Sequence, residues 1–176
     1  MAKKYEFTGE TKVWLERTLH RIRALISFGE VEAGELGGWI EKEGNLSHEG
    51  SAWVTDQAVV TDQAVVTGQA VVRGSAVVCG SAVVCDSAVV WRTNHYLCIG
   101  PMGSRLDFTT FFRSKDKQIC VKCGCFRGDI DAFAFKVQAT HGDSQHAKAY
   151  MAAIELAKMQ IDLSGDDPEV EETRHE

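Results

Sequence analysis

The sequence predicts a β-solenoid of hexapeptide repeats, preceded by a small β cap and followed by a small α+β domain. Three observations predict it: six consecutive hexads between Val54 and Val89, alternating segments ahead of them, and a hairpin pattern followed by two amphipathic helix patterns behind them.

The hexads read VTDQAV, VTDQAV, VTGQAV, VRGSAV, VCGSAV and VCDSAV, opening at Val54, Val60, Val66, Val72, Val78 and Val84. Alanine holds the fifth place throughout, from Ala58 to Ala88. A short fixed period of this kind marks a solenoid, and a period of six points to a β-helix. An α-helix is excluded, because six residues do not match its 3.6-residue turn and the valines would be smeared around the cylinder. β-Branched residues also favour pleated backbone.

The pattern V-x-[DG]-x-A-V resembles the repeat of left-handed parallel β-helices. The lead-in Gly37-Gly38-Trp39-Ile40, Asn45-Leu46-Ser47 and Ala52-Trp53-Val54 is similar to that of bacterial and prophage hexapeptide-repeat proteins of the YdcK-like kind. Gly124-Cys125-Phe126 and Thr140-His141-Gly142-Asp143 resemble the C-terminal segment of phage members. The resemblance implies three hexads per triangular coil, with first and fifth places pointing inward. The sixth-place valines, Val59, Val65, Val71, Val77, Val83 and Val89, would then point outward. Residues eighteen apart stack about 4.8 Å from one another, so each face carries an apolar stripe. Such stripes commonly mark contact surfaces, and self-association as a homotrimer is expected through these valines. Six hexads give about two coils, roughly 10 Å of height, so the stack needs caps or other copies of itself.

Residues 1–35 are read as the N-terminal β cap, in which Lys4 to Thr8 and Thr18 to Ile26 alternate around turn-like Gly9-Glu10-Thr11. Arg17, His20, Arg21 and Arg23 form the basic cluster of the chain. A solvated strand face explains it, with an anion or nucleic-acid site as the alternative. Arg21, Arg23 and Arg73 are the candidate ligand or partner residues. Residues 36–90 form the repeat domain, entered through Gly34, Gly37 and Gly38, with Trp39 and Trp53 large enough to plug an end of a narrow coil. Cys79 and Cys85 hold equivalent places in adjacent hexads, too far apart for a disulfide.

Residues 91–161 are read as a small α+β domain. Gly100 to Ser104 is a turn cluster, Leu106 to Arg113 alternates, Ser114 to Lys117 turns the chain, and Ile119 to Cys123 returns it. Asp129 can cap a first helix whose Ile130, Phe133, Ala134 and Val137 share a face. Asp143 or Ser144 can cap a second, with Ala147, Tyr150, Met151, Ile154 and Ala157 as its stripe. Cys120, Cys123, Cys125 and His141 are the metal candidates, but their spacing matches no standard zinc module and buried thiols are the default reading. A Cys125–His141 pair is the catalytic candidate, and nothing in the sequence supplies the group that would activate the thiol.

With 44% hydrophobic and 25% charged residues the chain can bury a core, while residues 162–176 carry seven acids and one base and hold the whole net charge of −6. That segment is read as a disordered acidic tail. No signal peptide or spanning segment is expected, and six cysteines without a secretory signal read as reduced thiols in a cytoplasmic, bacterial host setting.

The resulting expectation is a non-catalytic phage or prophage interaction protein that binds, inhibits or sequesters a host component such as a defence factor. No cofactor, membrane contact or direct nucleic-acid binding is expected. One alternative is a small-molecule or nucleotide sponge with sites at subunit clefts. Another is a hexapeptide-type acyltransferase: many proteins of the left-handed class place a loop histidine beside the coil, but none lies between Val54 and Val90, and His48 and His95 only flank the repeat.

Overall fold

The computed structural model describes residues 3–165. In each hexad the sixth-place residue and the valine after it form a two-residue strand: β4 (Trp53–Val54), β5 (Val59–Val60), β6 (Val65–Val66), β7 (Val71–Val72), β8 (Val77–Val78), β9 (Val83–Val84) and β10 (Val89–Val90). Strands eighteen residues apart pair in parallel, as Val59 with Val77, Val65 with Val83 and Val71 with Val89. With β3 (Leu36–Ile40), this gives three stacks: β3-β5-β8, β4-β7-β10 and β6-β9.

The hexad's composition explains its path. All six first-place valines and all six fifth-place alanines are fully buried and fill the space between the stacks. The third place turns the corner with positive φ, at 57° for Asp56, 60° for Asp62 and 71° for Gly68. Glycine, and to a lesser degree Asp or Asn, adopts that backbone most readily. The aspartates add a bond, since Asp56 Oδ2 accepts from Gly74 N at 2.9 Å and Asp62 Oδ2 from Gly80 N at 3.0 Å.

The stack has a polarity. Every backbone N–H between coils donates onward, as in Val59 N to Ala76 O, Val65 N to Ala82 O and Val71 N to Ala88 O, each 2.9 Å. The first coil therefore ends in carbonyls and the last in N–H groups, and buried backbone groups need partners. At the first end Lys4 Nζ donates to Ala52 O at 2.8 Å, Tyr5 Oη to Glu43 O at 2.8 Å and Leu46 O at 3.0 Å, and Arg21 Nε to Gly37 O at 3.2 Å. At the last end the Thr110 hydroxyl accepts from Val83 N at 3.0 Å, and the Tyr96 hydroxyl from Cys79 N at 3.3 Å.

The N-terminal hairpin, β1 (Tyr5–Trp14) and β2 (Arg17–Ala24), is antiparallel, and β2 pairs with β3. The cap thus belongs to the sheet of one stack and covers a side as well as an end. Leu19, Trp39 and Val59 pack together, with Trp14 and Val77 against them.

The C-terminal unit is a four-stranded antiparallel sheet of β11 (Tyr96–Met102), β12 (Asp107–Arg113), β13 (Ile119–Cys123) and β14 (Phe126–Asp129) in that order. β11 runs through Gly100-Pro101 to Met102, so only Gly103 and Ser104 of the expected turn cluster lie in the reversal, which spans Gly103–Leu106. β14 was not expected, because Arg127-Gly128 offers no apolar alternation. α1 (Ile130–His141) starts where Asp129 Oδ1 accepts from Ala132 N at 2.7 Å, and α2 (Gln145–Gln160) where Ser144 Oγ accepts from Ala147 N at 3.2 Å. One face of the sheet, through Phe111, Ile119 and Val121, packs on the helices, while Phe112 on the other face joins the core of the stack. The sheet is consequently a middle layer, and β12 is buried on both faces.

Residues 162–165, expected as the start of the tail, fold back instead. Asp162 N donates to Asn94 O at 3.1 Å and Gly165 O accepts from Arg113 Nη2 at 3.1 Å. The rest of the expected tail lies outside the described residues.

Candidate functional site

Two places deserve comparison with the expected sites: the sides of the stack and a pocket in the C-terminal unit. The sixth-place valines do not form three open stripes. Val59 is 4% and Val89 9% exposed within the single chain, and Val77 packs against the cluster of Leu19, Trp39 and Val59. Val65, Val71 and Val83 remain half-buried, and Val83 also borders a groove of about 160 Å³ with Asp107, Phe108 and Lys122. The reason is non-local: the hairpin and the C-terminal sheet, remote in sequence, cover part of each side.

The three candidate arginines are not gathered into one site. Arg23 pairs with Glu6 at 2.6 Å on the cap, and Arg21 donates to Gly37 O and lies over the Trp39 ring, 5.4 Å from its centroid. Arg73 follows β7, in a different stack from the one β2 extends, and its N–H donates to Val90 O at 2.9 Å. Arg17 of the same basic cluster binds Glu41 at 3.0 Å and Asp62. Arg17 and Arg21 therefore tie the hairpin to the coils, while Arg23 holds its two strands together.

Strand alternation separates the cysteines. Cys120 packs against the stack's core, and Cys123 against the helix-side core. Cys125, in the turn before β14, is the exposed one of six free thiols. Among the described residues no group of three or more His, Cys, Asp or Glu side chains is arranged to hold a metal ion. Burial pushes the Cys85 thiol up to about 12, with Asp86 adding to the shift through a 3.2 Å bond.

Cys123, Cys125 and His141 do meet, around a pocket of about 140 Å³ between the β13–β14 turn and the two helices. Its floor is Phe126, Phe133, Val137 and Tyr150; its rim adds Arg105, Lys136 and Thr140. The Tyr150 hydroxyl lies 3.8 Å from Cys123 Sγ, and its ring stacks on His141 with centroids 5.7 Å apart. Burial, then the Cys123 contact, pushes the tyrosine up to about 12, so it is a neutral hydroxyl at physiological pH. Gly103, at φ 71°, permits this approach, because a β-carbon there would collide with the Tyr150 hydroxyl. Arg105, Lys136 and Tyr150 come from a turn and two helices, and no motif in the sequence announces them.

The histidines flanking the repeat are structural. His48 Nδ1 accepts from Lys4 N at 3.1 Å and its ring stacks on Tyr5 at 4.3 Å, while His95 is buried edge-on to Trp91.

No protein-family model matches the chain. A curated protein of Escherichia coli K12, described as the uncharacterized acetyltransferase YdcK, is 46% identical over 39 residues. The match takes in 22% of this chain and 12% of that protein, so the chain spans only a small part of its relative's length. Among the described residues, no helix is long and apolar enough to cross a membrane.

Proposed function

We propose that this chain is a non-catalytic binding protein: a short left-handed β-helix that self-associates through the sides of its coils, as a trimer, and presents its C-terminal units to a partner. The observation that carries this reading is the contrast between ends and sides. Both ends of the stack are sealed by side chains of the same chain, whereas Val65, Val71 and Val83 stay half-buried on its sides. A stack of two to three coils gains stability from neighbours, and lateral apolar residues are where another copy adds burial. The left hand is supported by the hexad pattern. The resemblance to prophage proteins supports a host component, such as a defence factor, as the partner class.

The test is the native mass by light scattering. The proposal predicts three times the 19.4 kDa chain mass, and a return to one chain in the Val65→Lys, Val83→Lys double variant. A wild-type protein that runs at 19.4 kDa at all concentrations overturns it.

A second reading, acyl transfer, rests on the stretch shared with a protein described as an acetyltransferase. It predicts thiol release from acetyl-coenzyme A in the presence of amine or alcohol acceptors. The binding reading predicts none.

A further inference from the structure

The geometry points to the pocket beneath the β13–β14 turn as a binding site for a small aromatic carboxylate, held at the rim by Arg105 and Lys136 with its ring on the floor made by Phe126, Phe133 and Tyr150. The site is separate from the sides of the stack and stands or falls independently of self-association.

Charge makes the first step. The lining holds two permanent cations, Arg105 and Lys136, and the titratable His141, but no carboxylate. Among the described residues neither Arg105 nor Lys136 makes an ion pair, while the cap arginines Arg17, Arg21 and Arg23 all do. Asp107 is an acid whose charge is felt at the Tyr150 hydroxyl, together with the opposing charge of Arg105. Asp107 lines the neighbouring groove beside Lys122. A net positive rim over an apolar floor favours an anion, and a guanidinium prefers a planar, two-oxygen acceptor.

Arg105 also lies against the turn. A β-carbon at Gly124 would lie 2.8 Å from Arg105 Nη2, so the guanidinium occupies the space that the glycine leaves beside it. Gly124 has φ 55°, which keeps a larger residue out for a second reason.

Size and shape make the last step. Cavities of roughly 150 Å³ lined by apolar side chains accept a benzene-sized molecule. This pocket, at about 140 Å³, combines that volume with aromatic rings that prefer offset or edge-on partners, as Phe133 already shows with Tyr150 at 5.6 Å and 87°. The Tyr150 hydroxyl adds a neutral hydrogen-bonding group.

Cys125 reports occupancy, because it lines the pocket and is the exposed thiol of the chain. Alkylation of Cys125 in the full chain by iodoacetamide, a neutral reagent, is followed by mass spectrometry with benzoate, benzamide or no addition. Benzoate is expected to slow it at least threefold in a saturable way. Benzamide, which lacks the charge, leaves it near the unliganded rate, and the Arg105→Gln, Lys136→Gln variant loses the benzoate effect. Because each protein serves as its own unliganded reference, a change in intrinsic thiol reactivity does not enter. Unchanged alkylation under benzoate, equal slowing by benzamide, or benzoate protection that survives in the double variant would each overturn the assignment. Circular dichroism of the double variant confirms that it is folded, as expected for two exposed side chains.

Discussion

The two ends of the stack face the same problem with opposite signs. Residues 36–54 present carbonyls that no earlier coil satisfies, and the chain meets them with donors: the Lys4 ammonium just ahead of β1, a phenol from β1 and a guanidinium from β2. Residues 77–84 present N–H groups that no later coil satisfies, and the chain meets them with hydroxyl oxygens from β11 and β12. A parallel stack is directional, so its two caps cannot be interchanged. Buried backbone groups left unpaired cost about 1–3 kcal/mol each, which makes this chemistry a condition for so short a stack to fold.

The largest effect is expected where a cap also fills the core. Phe112→Ala removes a fully buried ring from the junction of the stack and the C-terminal sheet and should cost about 3–5 kcal/mol in denaturant unfolding. A loss near zero would mean that the sheet does not seal the stack.

Next come single-atom tests of each end. Tyr5→Phe deprives the carbonyls of Glu43 and Leu46 of their shared donor, and Thr110→Val deprives Val83 N of its acceptor. Each should cost about 1–3 kcal/mol by the same unfolding assay. If only one does, the ends are not equivalent.

pH separates the ends, because only the first uses a titratable donor that burial disfavours. The Lys4 ammonium is pushed down from 10.5 to about 8 by burial. Between those values the unfolded chain binds a proton that the folded chain lacks, so this group makes stability rise with pH across about 8 to 10.5. Cys85, pushed up to about 12, acts in the opposite sense above pH 9. The difference between wild type and Lys4→Met removes that common contribution. Wild type should gain on the variant as pH rises from 8 to 10, and a flat difference would show that Lys4 is not desolvated.

The smallest effect belongs to the rim of the first end. Lys3 and Glu43 pair at 2.6 Å with 60% and 51% of their side chains exposed. Lys3→Ala should change stability by less than about 1 kcal/mol, and a larger loss would mean that the cap depends on its surface charges.

The stack was legible because its determinants are local and repeated: valine and alanine at the inward places, Asp or Gly at the positive-φ corner. The hairpin, the two helices and the Asp129 cap were legible for the same reason, and the second cap was narrowed to Asp143 or Ser144, of which the chain uses Ser144. What covers Val59 and Val89 was not, since strands far away in sequence do it. Arg21 and Arg23 suggested a ligand site, and their acids and carbonyls came from pairing partners that alternation alone does not identify. The pocket was half legible: Cys123, Cys125 and His141 stood out, whereas Tyr150 read as part of a helix stripe and nothing marked Arg105 or Lys136.

Hydrogen exchange tests the sealed ends most directly. The amides of Cys79 and Val83, in the last coil, should be protected as well as those of Val65 and Val71, which donate to a neighbouring coil, and Thr110→Val should release Val83 selectively. Exchange of Cys79 and Val83 at the rate of an open turn, with Val65 and Val71 protected, would contradict the account.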